Sequence, residues 1–260
     1  MNVRKLLAVL MVAALVGGFM VTGAVAGPIK IAQVVGATGP LEAYAKQSIN
    51  GFSLGLEYAT KGTMKLLDRP LEGIIKDTQG KPDGGKQMLT EAFKDDKADL
   101  AVGGVSSAVA LAMLPVAQEF KKVLIVEPAV ADSITGSDWN RYIFRTGRNS
   151  SQDAVSNAVA IAKKGVIIAT LAQDYAFGRD GVKAYKEAAE AKGAKVLHEE
   201  YVPINTTDFT APVQRIIQAL KDKKGEKYIF IIWAGKGNPF QIADMKLEEK
   251  YGIKISSGGN

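Results

Sequence analysis

The chain has 260 residues, 47% hydrophobic and 23% charged, which is material for one large α/β domain or two small ones. Its 33 Lys and Arg against 27 Asp and Glu give a formal charge of +6, and Arg4 and Lys5 supply two of those cations. The remaining charges alternate in sign, as in Lys94-Asp95-Asp96-Lys97, a pattern of solvated helix ends that argues against a nucleic-acid surface.

At the N-terminus a basic stretch, Met1 to Lys5, precedes an apolar run from Leu6 to Val21 interrupted only by glycines. Ala24-Val25-Ala26 then places small residues where a signal peptidase reads, so residues 1–26 are read as a cleaved secretory signal and the periplasm as the destination. No cysteine is present, so neither lipid attachment at a cysteine nor a disulfide brace is expected. From Pro28 onward, apolar runs alternate with helical stretches. Strands are predicted at 29–34, 71–76, 100–102 and 123–126, with helices at about 41–59 and 84–93 and another opening at Ser106. YIFRTGRNSSQDA reads as a short extended segment, a polar joint and a helix capped near Ser150 to Asp153. The pattern then repeats, with strands at 166–171, 195–202, 228–233 and 253–256 and helices at 181–191, 213–220 and up to about Lys250. The two halves match element by element at an offset of roughly 130 residues, which predicts two similar α/β lobes with parallel sheets covered by helices.

In parallel sheets with right-handed crossovers, the loops GATGP, DTQG, GGVSS and EPAVADS all gather at one sheet edge, where ligands bind. The stretch Ala98 to Pro115 runs from a strand through Gly103 and Gly104 into a helix opened by Ser106 and Ser107. Free N–H groups and the positive end of the helix make that junction a seat for a carboxylate or phosphate. The same serine at a strand-to-helix turn offers an enzyme alternative, a serine hydrolase using Ser106 with Asp174 and His198. His198 is the only histidine, however, and sits in a predicted strand between acidic neighbours, and the second glycine of a nucleophile elbow is missing. Neither a P-loop nor a metal-ligand cluster is evident, and no cofactor is expected.

Together the leader, IKIAQVVGATGPLEAYAKQSINGFSLGLEYA, GGVSSAVALAMLPVA, EPAVADSIT, YIFRTGRNSSQDA, AQDYAFGRDGVKAYKEA and NTTDFTAPVQRI resemble the exported solute-binding proteins of ABC importers, in the branched-chain amino acid (leucine/isoleucine/valine) family. The resemblance implies a type I periplasmic binding protein, two Rossmann-like lobes joined by three crossings and closing on a ligand as a hinge. Lobe 1 is then expected over 27–144, lobe 2 over 145–254 and the second crossing over 255–260. Family members are longer and return to the first lobe, so lobe 1 is expected to be incomplete, with apolar surface exposed.

For the site, the resemblance implies that Ser106 and Ser107 hold the ligand carboxylate, with Ala129 and Ala131 in the next loop, where amino-acid binders tend to place a hydroxyl at the Ala131 position. Tyr175 closes from the second lobe. Thr38, Tyr44 and Trp233 are further contacts, with Phe177 and Phe240 as possible walls. Asp174 is the one acid near the place where the family supplies a partner for an ammonium group, and the crossing reads SSGGN. An α-amino acid is therefore in doubt, because a desolvated ammonium needs a counter-charge; an aromatic or other organic carboxylate fits better. Arg145 and Arg148 could pair with a ligand carboxylate bidentately, but a charge at a lobe joint more often anchors the hinge, the role assigned to both. The implied partners are a small carboxylate and an ABC permease in the inner membrane, reached by a monomer; a ligand sensor of the same fold is the alternative.

Overall fold

Short apolar runs rich in Val and Ile, separated by amphipathic stretches, leave the backbone little choice but β-α-β units. The computed structural model describes residues 27–235 and 239–257; the expected leader, Lys236 and residues 258–260 lie outside the described residues. The first lobe comprises β1 (Ile29–Val35), α1 (Glu42–Ala59), β2 (Lys65–Leu66), β3 (Arg69–Asp77), α2 (Pro82–Lys94), β4 (Leu100–Gly103), α3 (Ser107–Phe120), β5 (Leu124–Val126) and β6 (Ile143–Arg145). Its sheet has the order β2-β3-β1-β4-β5-β6, parallel except where β2 folds back on β3. The second lobe comprises α4 (Ser150–Ile161), β7 (Ile167–Gln173), α5 (Ala176–Ala191), β8 (Lys195–Val202), α6 (Thr210–Leu220), β9 (Lys227–Ile232), α7 (Gln241–Asp244), α8 (Leu247–Tyr251) and β10 (Ile253–Ser257). Its four strands run parallel in the order β10-β9-β7-β8. β10 thus carries the second sheet through Ser257, across residues expected at a crossing.

The register explains which faces are covered. In lobe 2, Ile168, Ala172, Phe230 and Ile232 pack under α4 and α5, while Ala169, Leu171, Ile229 and Ile231 pack on the other side under α6, α7 and α8. Both faces are buried, as the unbroken apolar strand YIFII suggests. In lobe 1, the rung Ala32, Ala101, Leu124 and Ile143 lies beneath α2 and α3. The next rung, Ile75, Gln33, Val102, Ile125 and Phe144, points the other way, and its two ends stay 53% and 55% exposed.

Two junctions matter for the cleft. Gly103 ends β4 at φ +143°, with its backbone so close to β1 that an added Cβ would lie 2.1 Å from the Val34 carbonyl oxygen. Only glycine turns the chain there and starts α3 on time. At the other junction, the sequence predicts a loop as far as Gly181, yet α5 begins at Ala176 with Tyr175 at its N-cap. Gly178, read as a loop residue, is helical, and only glycine fits there because a Cβ would come within 1.9 Å of the Gln173 carbonyl oxygen. It permits close packing of helix on strand rather than breaking the helix.

Candidate functional site

The strand order of lobe 1 reverses between β1 and β4, and such a switch point opens a crevice at the strand ends. A cavity of about 120 Å³ lies there, between the lobes. Lobe 1 lines it with Leu41 and Tyr44 at the start of α1, Val105 and Ser107 at the start of α3, and Pro128, Ala129 and Val130 after β5. Arg148 enters from the joint between β6 and α4, and Tyr175, Phe177 and Ala234 close from lobe 2. The volume is of the same order as the roughly 150 Å³ apolar cavity that takes up a benzene ring in an unrelated protein.

The walls are fixed by short-range bonds. Ser107 Oγ accepts from the Ala131 N–H at 3.2 Å, joining the two lobe 1 loops. The same loop is held from the joint, where the Ser150 N–H and hydroxyl donate to the Val130 carbonyl at 2.8 and 3.1 Å. α4 is itself started by a capping box in which the Asn149 side chain accepts from the Gln152 N–H while the Gln152 side chain accepts from the Asn149 N–H, each at 2.9 Å. The lobes touch at the cleft rim, since a Cβ on Gly235 would sit 2.6 Å from the Pro40 carbonyl oxygen. On the far side Asp180 of α5 accepts from the Ser133 N–H and hydroxyl at 3.0 and 2.9 Å, a second tie between lobes.

The electrostatics favour an anion with an apolar body. The N-termini of α3 and α5 both open on the cavity, through Ser107 and Tyr175, and present the positive ends of their dipoles. Burial, with Tyr44 nearby as a smaller influence, pushes the Tyr175 phenol up, so it stays a neutral donor. Its ring lies against Phe177 with centroids 5.7 Å apart. Among the described lining residues only Arg148 carries a charge, and both oxygens of Asp153 bind its Nε at 2.7 and 2.9 Å.

Of the residues singled out in the sequence, the structure brings Ser107, Ala129, Tyr44 and Tyr175 together in this lining, with Phe177 beside them. The others stand outside it. Ser106 is buried at the N-cap of α3 without a side-chain capping bond, and Ala131 is fully buried behind Ser107. Thr38 donates its hydroxyl to Asp77 at 2.8 Å, stapling the loop after β1 to the end of β3. Asp174 is paired with Arg179 at 2.7 Å, away from the lining. Trp233 packs edge-on to Phe209 at 5.2 Å inside lobe 2, and Phe240 is exposed. The hydrolase alternative loses its base, because His198 Nε2 meets Glu200 at 3.0 Å on β8, at the edge of the second sheet. Arg145 behaves as a joint anchor, donating to the Ala131 carbonyl at 2.8 Å and to the Thr135 hydroxyl. Arg148 does not share that role alone, since it reaches the cavity. Leu41, Val105, Pro128, Val130 and Ala234 were not singled out; their one sequence signal is their place in loops that follow strands.

Residues 28–242 match a family model described as periplasmic binding protein. The chain is 26% identical over 226 residues to "Leu/Ile/Val-binding protein homolog 6" of Brucella melitensis, covering 85% of this chain and 55% of the relative. It is 65% identical to a solved structure described as an ABC-type branched-chain amino acid transporter from Rhodopseudomonas palustris, with a TM-score of 0.69 over 89% of this chain and 62% of the other. A solute-binding protein of an ABC transporter from Rhodopseudomonas palustris BisB5, solved in complex with 3,4-dihydroxy benzoic acid, is 30% identical with a TM-score of 0.73, over 89% and 61%. The chain spans about half the length of the curated relative.

Proposed function

Since the chain belongs to the periplasmic binding protein family, we propose that it binds a small aromatic carboxylate between its lobes and delivers it to the permease of an ABC importer. The observation that carries this reading is the makeup of the cavity wall: among the described lining residues stand Tyr44, Tyr175, Phe177 and aliphatic side chains, two helix N-termini and one arginine, with no carboxylate. An α-amino acid brings an ammonium that such a wall leaves unpaired, at a cost of several kcal/mol when desolvated, roughly. A benzoate-like acid brings only an anion and a ring. The complex of the BisB5 protein with 3,4-dihydroxy benzoic acid supports the same class. Transport is read through hinge closure, because walls from both lobes surround the ligand only when the lobes meet, so the ligand shifts the population toward the closed form. The leader supports export to the periplasm, the compartment where such a form meets its permease.

The experiment is a thermal-shift panel of benzoate, hydroxybenzoates, leucine, isoleucine and valine. A ligand at one hundred times its Kd stabilises by about 2.7 kcal/mol, which a melting curve resolves. Shifts with the aromatic acids are expected. The printed description of the Brucella melitensis relative favours the second reading, a branched-chain amino acid, and a shift confined to leucine, isoleucine and valine would establish it instead.

A further inference from the structure

The lobe 2 wall of the cavity is made of Tyr175 and Phe177 at the start of α5 and of Ala234, two residues past the end of β9. The pairing of β7 with β9 stops at the rung of Ala172 and Ile232. Beyond that rung the fully buried side chain of Gln173 takes the place of a backbone partner: its Nε2 donates to the Ala234 carbonyl at 3.0 Å and its Oε1 accepts from the Ala234 N–H at 3.1 Å. A carboxamide carries a donor and an acceptor, so one side chain satisfies both backbone groups of Ala234. The main chain of Gln173 serves the other half of the wall. Its carbonyl accepts from the Tyr175 N–H at 2.9 Å, and a Cβ on Gly178 would lie 1.9 Å from the same oxygen, so the first turn of α5, which carries Phe177, rests directly on it. Next to Ala234, Gly235 meets Pro40 of lobe 1 at the cleft rim.

Past the end of β9, the N–H and C=O of Ala234 still need partners, and without the carboxamide they reach water only by leaving the wall. We infer that Gln173, which is not among the described lining residues, is the positioning residue of the lobe 2 wall: its side chain holds Ala234 against the ligand space and Gly235 against lobe 1, and so sets ligand affinity. A wall that is in place for only part of the time weakens binding in proportion to that fraction. The inference rests on the reading that a ligand is held in this cavity, and it holds for whichever acid that is.

The test titrates benzoate by calorimetry into the purified protein, into Gln173→Met and into Leu220→Ala. Methionine keeps the length of the side chain without the paired donor and acceptor. Leu220, the last residue of α6, is buried where the chain approaches β9, at the sheet edge opposite the cleft, so its truncation lowers stability without touching the wall. Two lost hydrogen bonds predict that Gln173→Met weakens benzoate by roughly 5- to 100-fold. Leu220→Ala is expected to leave affinity unchanged even where its urea midpoint falls as far. Hydrogen exchange is expected to quicken at the Ala234 and Gly235 amides of Gln173→Met while amides within β7 and β9 keep their protection. If Gln173→Met binds benzoate as tightly as the unaltered protein, or both variants weaken it by the same factor, Gln173 serves the stability of the lobe alone and the inference is overturned while the ligand reading stands. If the unaltered protein binds leucine and not benzoate, the aromatic reading fails, and the same variants titrated with leucine decide the inference by the same criteria; binding of neither overturns both. Circular dichroism verifies folding, and Gln173→Leu and Leu220→Val replace any variant that does not fold.

Discussion

Ser107, the first residue of α3, and Tyr175, the N-cap of α5, line the cavity from the two lobes, and their contributions can be separated. Removing the Tyr175 ring forfeits an aromatic contact of about 1.5 kcal/mol at most, so Tyr175→Ala is expected to weaken benzoate by roughly tenfold, and Tyr175→Phe by much less. Equal losses in a binding titration would assign the effect to the hydroxyl instead. Ser107→Ala leaves the Ala131 N–H without its acceptor inside the protein, at a cost of about 1–3 kcal/mol read by urea denaturation. Far from the cleft, Glu226 shows how a single carboxylate ties stability to pH. Hydrogen bonds from Lys254 first, then Tyr228 and Lys163, hold its pKa down to about 2. Against an unfolded value of about 4.3, its contribution is complete above that pH and disappears as pH falls toward the folded value. The difference in urea midpoint between the protein and Glu226→Gln is therefore expected to be constant near neutrality and to vanish at about pH 2; a difference that grows on acidification would reverse the sign of this account.

At the scale of the elements, the cleft depends on where helices start. Gly103→Ala forces a Cβ against the Val34 carbonyl oxygen at a φ that side chains avoid, and a loss of about 3 kcal/mol or more, with weakened ligand binding, is expected from chemical denaturation and titration. Asn149→Ala removes only the cap of α4 and is expected to cost about 1 kcal/mol. Most elements were legible in the sequence because alternation of apolar runs and amphipathic stretches survives in each half. The exceptions have physical reasons. The hairpin between β2 and β3 turns on Leu67 and Asp68, both at positive φ, where the usual signal is Asn-Gly, so nothing in the residue types announces it. The start of α5 was hidden by Gly178, whose use is close packing and not a turn. The site was legible where it uses helix starts, at Ser107 and Tyr175, and where an aromatic stands out, at Tyr44. It was ambiguous for Arg148, because a charge at a joint has the same look whether it anchors or reaches the cavity, and misleading for Trp233, whose neighbour Phe209 is distant in sequence.

For the whole molecule, the two lobes are unequally covered. Lobe 2 buries both faces of its sheet, whereas on lobe 1 Ile75 and Phe144 end an open rung, and Leu54 and Tyr58 of α1 are 65% and 88% exposed. Apolar surface of this kind binds hydrophobic dyes and promotes self-association. Dye fluorescence is expected to fall when Leu54 and Tyr58 are both replaced by Ser, with ligand binding retained, since neither residue lines the cavity. In the proposed function, hinge closure unites the lobes, and the chemistry of the ligand decides whether closure is favourable. Under the proposed function, Ser107 and Tyr175 meet an anion carried on a ring, with no acid among the described lining residues to receive an ammonium. A calorimetric titration of the protein with benzoate and with leucine tests that arrangement most directly. Saturable binding of benzoate at one site per chain, with no heat from leucine, is the predicted result; tight leucine binding with none for benzoate would contradict it.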